Sequence, residues 1–183
     1  MILTGPEIIK NVEKGKIKIL PFDAQRATTN SYDLKLGLEV IRYISPILDP
    51  KEAPQYEVLK IPPEGLVMQR GDFLLASTEE KIGSDYFVPI IHALSGVARI
   101  GLFVHVTAYL IDIGSFGTST LQLFATLPIR IYRGMLIAQV SFWVPEGEIK
   151  LYKGKYQHSE GPQPSLTHLD WRKKKGGKKK VSG

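Results

Sequence analysis

Cysteine is absent from the 183 residues. That excludes disulfides, thiolate chemistry and any cysteine-held metal. No apolar run approaches the ~20 residues needed to cross a bilayer, and the first residues, MILTGPEIIKNVEKGK, lack the apolar core of a secretory signal. Together these absences give the expectation of a cytoplasmic protein with no membrane partner. A GxxxxGK phosphate loop, HExxH and GxSxG are also missing. Zinc-dependent base deaminases need a His/Cys ligand set. The four histidines here, His92, His105, His158 and His168, show no metal-ligand spacing, and each reads as a structural or surface residue. No protein-held metal is therefore expected.

Charge is scarce where it would matter for a nucleic-acid binder. The formal charge of +6 comes from 24 basic and 18 acidic residues. The run Arg172 to Lys180 (RKKKGGKKK) holds seven of the 24 basic residues, which leaves 17 against 18 in the rest of the chain. The body is close to neutral, and the basicity sits in a stretch with almost nothing apolar to bury. Residues 172–183 are expected to form a disordered tail whose sharpest use is a weak, salt-sensitive contact with nucleic acid. Residues 1–171 read as one domain.

What is present is a succession of short strands. One helix opens the chain, with Gly5-Pro6 at its start, Ile8, Ile9 and Val12 on its apolar face and Gly15 as its stop. Leu34, Leu36, Leu38 and Val40 then alternate with polar or small residues, the period of a half-buried strand. Further runs follow at Val58–Ile61, Phe73–Ser77, Phe87–Ile91, Leu102–Val106, Thr120–Leu127, Ile129–Tyr132, Met135–Trp143 and Ile149–Tyr152, punctuated by Gly and Pro. Many short strands at this spacing indicate an all-β sandwich or barrel. Ile44 to Tyr56 reads as a loop, Arg70-Gly71-Asp72 as a hairpin turn, and everything after Ser159 as a C-terminal arm and tail.

Four blocks carry a family resemblance. They are NSYDL (Asn30–Leu34), ALSGVARIGLFVHVTAYLIDIGSFG (Ala93–Gly117), RGMLIAQV (Arg133–Val140), and the end LYKGKYQ (Leu151–Gln157) with PSLTHLD (Pro164–Asp170). In order and spacing they resemble the dUTPase / dCTP deaminase superfamily, over essentially residues 1–171. The resemblance implies a distorted β-barrel or jelly roll with one short N-terminal helix. It also implies homotrimers with sites between subunits, and a pyrimidine deoxynucleoside triphosphate as substrate.

The resemblance assigns roles residue by residue. Ser95 and Gly96 form the phosphate loop, with Arg99 either a phosphate clamp or a structural ion-pair partner. Val106, Thr107 and Ala108 read the base through their backbone groups. Gln139 bonds the phosphate side, and Tyr152 and Lys155 cover the triphosphate from the arm, unless Lys155 and its neighbour Tyr156 are plain surface residues. Asp112 takes the position of the base that activates water, or else caps its own turn. Deaminating relatives place a Glu where this chain has Gln122, and no Asp or Glu occurs between Asp112 and Glu146. A neutral amide is a poor proton acceptor. Two other positions depart from the pattern: Leu94 stands where a cation precedes the Ser, and Ser115 where an aromatic follows the Asp. The first expectation is accordingly a hydrolase, a dUTP diphosphatase in which Mg2+ arrives on the substrate's triphosphate. The alternatives are a dCTP deaminase and a non-catalytic nucleotide-binding paralogue or trimeric scaffold.

Overall fold

A computed structural model describes residues 1–176, with side chains through Arg172. The chain begins with α1 (Gly5–Glu13), which has Pro6 in its first turn and ends at Lys14, where Gly15 turns the chain away with φ +68°. Ile8 of α1 is fully buried. Gly5 sits so close to the Thr28 carbonyl that a Cβ there would lie 1.8 Å from the oxygen, so only glycine lets the helix dock.

Ten strands follow: β1 (Ile17–Leu20), β2 (Tyr32–Tyr43), β3 (Tyr56–Lys60), β4 (Leu66–Met68), β5 (Phe73–Ser84), β6 (Val88–Ala93), β7 (Leu102–Phe103), β8 (Phe116–Ala125), β9 (Ile129–Ile131) and β10 (Leu136–Trp143). One antiparallel sheet runs β6-β10-β2-β5-β8-β7, with β1 added along β5 and β3 along β2; β4 and β9 pair separately. The sheet curls into a distorted barrel, the fold class read from the sequence. Its interior is filled from alternate positions of the strands, including Tyr32, Leu34 and Leu36 of β2, Leu121 and Leu123 of β8, and Val140 and Phe142 of β10. The alternation of β2 slips after Leu36: the pairing with β5 shifts register between Leu36 and Val40, which leaves Leu38 half-buried while Val40 returns to the core.

Several elements differ from the sequence reading. The apolar run Leu102–Val106 makes only the two-residue β7, because His105 folds back and its Nε2 meets the Ala108 carbonyl at 2.5 Å, turning the chain. Ile149–Tyr152 is not a strand. Its Tyr152 N–H donates to the Ile113 carbonyl, in a turn, at 2.9 Å. β5 runs on through Glu79, Glu80 and Lys81, where charge suggested an end. Two short helices add to α1: α2 (Ser95–Arg99) and α3 (His168–Gly176). α3 enters the basic stretch, and residues 177–183, the rest of the expected tail, lie outside the described residues. Arg70-Gly71-Asp72 is a turn, closed by the Asp72 N–H on the Gln69 carbonyl at 3.0 Å.

Candidate active site

The curl of the sheet leaves a cleft of about 470 Å³. That is within the usual size for a small-molecule site. Its floor is the outer face of β5 and β8, where Phe73 and Leu75 lie beside Thr118, Thr120 and Gln122. Those three β8 residues share a face because side chains repeat every second position along a strand. Register sets Gln122 opposite Leu75, and the Gln122 N–H donates to the Val104 carbonyl at 3.0 Å, tying the floor to the hairpin that follows β7.

That hairpin forms the second wall, with His105, Ala108, Leu110, Ile111 and Asp112 on the cleft. It is fixed to β6 by two backbone bonds, from the Ile91 N–H to the Tyr109 carbonyl at 2.9 Å and from the Ile111 N–H to the Pro89 carbonyl at 3.0 Å. Burial pushes the His105 imidazole below its ordinary pKa, so the ring is neutral near pH 7. Asp112 closes the hairpin, and its backbone carbonyl accepts from the Ser115 N–H at 3.0 Å. Its carboxylate takes no hydrogen bond among the described residues and is left exposed to the cleft.

The C-terminal arm supplies the roof through Tyr152, Tyr156, Ser159 and Gln163 to Ser165. It lies along the edge of β8: the His158 N–H donates to the Phe116 carbonyl at 2.9 Å, and the Thr118 N–H to the Ser159 carbonyl at 3.0 Å. Gly117 makes this approach possible, since a Cβ there would fall 2.7 Å from the Ser159 nitrogen. Hydroxyls of tyrosines pin the remainder. Tyr152 accepts from the Tyr156 N–H at 3.1 Å, Tyr156 from the Leu166 N–H at 2.9 Å, and Tyr43 from the Ser165 N–H at 2.9 Å.

Of the residues singled out from the sequence, Ala108, Asp112, Gln122 and Tyr152 line this cleft. Val106 and Thr107 are exposed at the hairpin tip, off its wall. Ser95, Gly96 and Arg99 lie on exposed positions of α2, away from the cleft, and Arg99 makes no ion pair among the described residues. Gln139 is on β10, where its Oε1 accepts from the Ser31 hydroxyl at 2.6 Å and its Nε2 reaches the Ala93 carbonyl at 3.4 Å. Lys155 points to α3, with Nζ 2.5 Å from the Asp170 carboxylate and 3.1 Å from the Leu166 carbonyl. Among the described residues no Lys or Arg lines the cleft, and no group of three or more His, Asp or Glu is arranged to hold a metal. Sequence reasoning missed Tyr43, the last residue of β2, and Gln163 of the arm, which carry no pattern of their own. Thr118 and Thr120 were findable, being two and four positions before Gln122 on one strand face.

Comparison with known proteins places this geometry. Residues 2–144 match the family described as dCTP deaminase-like. A protein of Clostridium beijerinckii named "dCTP deaminase, dUMP-forming" is 41% identical over 174 residues, covering 94% of this chain and 100% of the relative. One of Leptospira biflexa with the same name is 42% identical over 175 residues, covering 95% and 100%. A crystal structure of 2'-deoxycytidine 5'-triphosphate deaminase from Agrobacterium tumefaciens shares the fold, with a TM-score of 0.63 at 19% identity over 79% of this chain and 48% of that one. These relatives overturn the first expectation from sequence. The similar proteins are deaminases of dCTP, and the reading of a dUTP diphosphatase and of the corresponding hydrolase class is corrected. That expectation rested chiefly on Gln122, set against a likeness that runs through nearly the whole chain.

Proposed function

The chain belongs to the dCTP deaminase-like family, and from that premise we propose that its cleft takes dCTP and converts it to dUMP. The observation that carries the proposal is the Asp112 carboxylate, the only acidic side chain lining the cleft and one without a hydrogen-bond partner among the described residues. Going from dCTP to dUMP requires water to replace the C4 amine, releasing ammonia, and a further water to attack the α-phosphorus, releasing diphosphate. Both steps need a proton acceptor for the attacking water. Asp112 fills that role here, and Gln122 on the floor orients water or base through its amide.

The rest of the ligand sets the assembly. A triphosphate needs compensating charge, and among the described residues of one chain no Lys or Arg lines the cleft. We therefore include in the proposal a homotrimer in which α2 of a neighbouring copy brings Ser95, Gly96 and Arg99 to the phosphates, with Gln139 on the same side. Val106, Thr107 and Ala108 read the base from the hairpin, and Tyr152 and Lys155 cover the triphosphate once the arm closes. The donor set suits Mg2+ carried by the phosphates, since one carboxylate is no protein cage. That ion would neutralise the phosphate oxygens. A cytoplasmic location belongs to the same proposal; among the described residues no helix is long and apolar enough to cross a membrane.

Gln122 favours a second reading, a paralogue that binds the nucleotide without turning it over. One experiment separates the two. The protein is incubated with dCTP, with and without Mg2+, and ammonia, diphosphate and dUMP are quantified beside a calorimetric titration. Stoichiometric release of all three supports the first reading. Binding with no product after hours supports the second, and the absence of both binding and product sinks both.

A further inference from the structure

One side chain of the arm grips the Asp112 turn from two directions. Gln157 Oε1 accepts from the Phe116 N–H at 3.0 Å, and its Nε2 donates to the Gly114 carbonyl at 2.9 Å. The amide therefore spans Ser115, the residue whose own N–H donates to the Asp112 carbonyl at 3.0 Å. From its other side the turn is anchored by the Gly114 N–H on the Ser84 carbonyl at 2.7 Å. A primary amide suits this bridge because it presents a donor and an acceptor on one rigid plane.

Gln157 is not what keeps the arm in place. The His158 N–H bond to the Phe116 carbonyl, the Thr118 N–H bond to the Ser159 carbonyl and the Ser159 hydroxyl bond to the Thr118 carbonyl at 2.8 Å hold the arm along β8 without it. What Gln157 adds is the contact with the Gly114 carbonyl, in the turn, and with the Phe116 N–H, where the turn enters β8. We propose that Gln157 is a positioning residue, which transmits docking of the arm to the turn and so fixes where the Asp112 carboxylate stands in the cleft. The proposal rests on the reading of Asp112 as the group that activates water.

The test uses the full chain and two variants, Gln157→Ala and Gln157→Glu. Two readouts are taken: kcat and KM on dCTP, and amide hydrogen exchange at Ser115. The Ser115 N–H bonds within the turn and not to Gln157, so its protection reports the turn itself. In Gln157→Ala, exchange at Ser115 is expected to accelerate at least several-fold while Thr118, on the arm contact, keeps its protection. The kcat should fall by roughly 10- to 100-fold, the loss that follows when a reacting group is displaced by about 1 Å, with KM moving much less. Gln157→Glu provides a control that a purely steric role would not reproduce. Ionised, its carboxylate still accepts from Phe116 but sets an oxygen against the Gly114 carbonyl. Protonated, it regains a donor. Ser115 protection relative to wild type at the same pH should therefore recover as pH falls in the Glu variant and not in the Ala variant. Unchanged Ser115 exchange in Gln157→Ala overturns the proposal, as does an unchanged kcat in a protein whose wild type turns dCTP over. If wild type releases no dUMP, the reading of the reaction has failed, and Ser115 exchange in the two variants still decides the role of Gln157.

Discussion

Asp112 and Gln122 face one cleft from different elements, Asp112 from the turn closing the hairpin and Gln122 from the middle of β8. A carboxylate can take the proton of an attacking water, and a neutral amide cannot. This asymmetry gives the first prediction. Asp112→Asn should abolish dUMP formation from dCTP by ~100- to 10,000-fold, the usual loss on removing a general base, and leave dCTP affinity within a few-fold. Gln122→Glu adds a second carboxylate on the floor and should raise the rate of ammonia release. Ammonia and dUMP assays with a parallel binding titration check both. An Asp112→Asn protein that stays active would move the proton acceptor elsewhere.

Arg99 is on α2 and does not line the cleft that Asp112 faces. If the site forms between subunits, each of two dead variants carries the half that the other lacks. Arg99→Gln and Asp112→Asn chains should each be inactive alone. Denatured together in equal amounts and refolded, they should regain about a quarter of wild-type activity through hybrid trimers. Light scattering on the wild type is expected to give the trimer mass. No recovery on mixing, from a protein that is a monomer in solution, would put the site inside a single chain.

Arg26 and Glu80 form an ion pair inside the barrel wall. Glu80 is fully buried and Arg26 nearly so, with the guanidinium 4.8 Å from the centre of the Tyr32 ring. The second Glu80 oxygen accepts from the Lys35 N–H at 3.0 Å. Glu80 turns inward where the β5–β8 register shifts, between Ser77 and Lys81. Removing one partner strands the other charge in a dry setting. Arg26→Met is expected to cost about 3–5 kcal/mol of unfolding free energy, and the double change Arg26→Met, Glu80→Leu to restore most of it. Urea unfolding of both variants measures this. Equal losses in the single and double variants would show that the pair's charges are not the issue.

The barrel was legible because its strands are short, apolar at alternate positions and separated by Gly and Pro. The wall residues Ala108 and Asp112 were legible because they fall in the longest block of the resemblance, and Gln122 on the floor because it stands where deaminating relatives place a Glu. Other features escaped for identifiable reasons. Leu102 to Val106 has the composition of a strand, but the chain turns at His105, whose ring meets the Ala108 carbonyl. Charge at Glu79 to Lys81 concealed the second half of β5, since nothing in sequence tells that Glu80 has Arg26 as a partner. The roof depends on contacts between residues far apart in the chain, such as Tyr43 with Ser165. Ser95, Arg99 and Asp112 lie close in sequence, yet that closeness carries no information about whether one chain can unite them.

Asp33 provides a test of electrostatics that does not depend on turnover. It sits on β2 opposite Gln139 of β10, and one carboxylate oxygen is buried without a hydrogen-bond partner. Burial pushes its carboxyl above the usual range, and the attraction of Arg26 only partly opposes that. The sign follows from which state holds the proton more tightly. With the folded pKa above the unfolded one, the folded chain binds the proton better. The contribution to stability is therefore full below the unfolded value of ~3.9 and lost as pH rises through the folded value. Ionising that carboxyl puts a charge in a poorly hydrated place. Asparagine keeps the shape and has no charge to desolvate. Asp33→Asn should accordingly be the more stable protein at pH 7, and its advantage should shrink as pH falls through the titration of Asp33 toward the ordinary carboxylate range. Urea unfolding of both proteins from pH 4 to pH 8, by a signal from the barrel tryptophan Trp143, measures the difference directly. A variant less stable than wild type at pH 7 would mean that attraction to Arg26 outweighs the burial of Asp33, and the order of the two causes would have to be reversed.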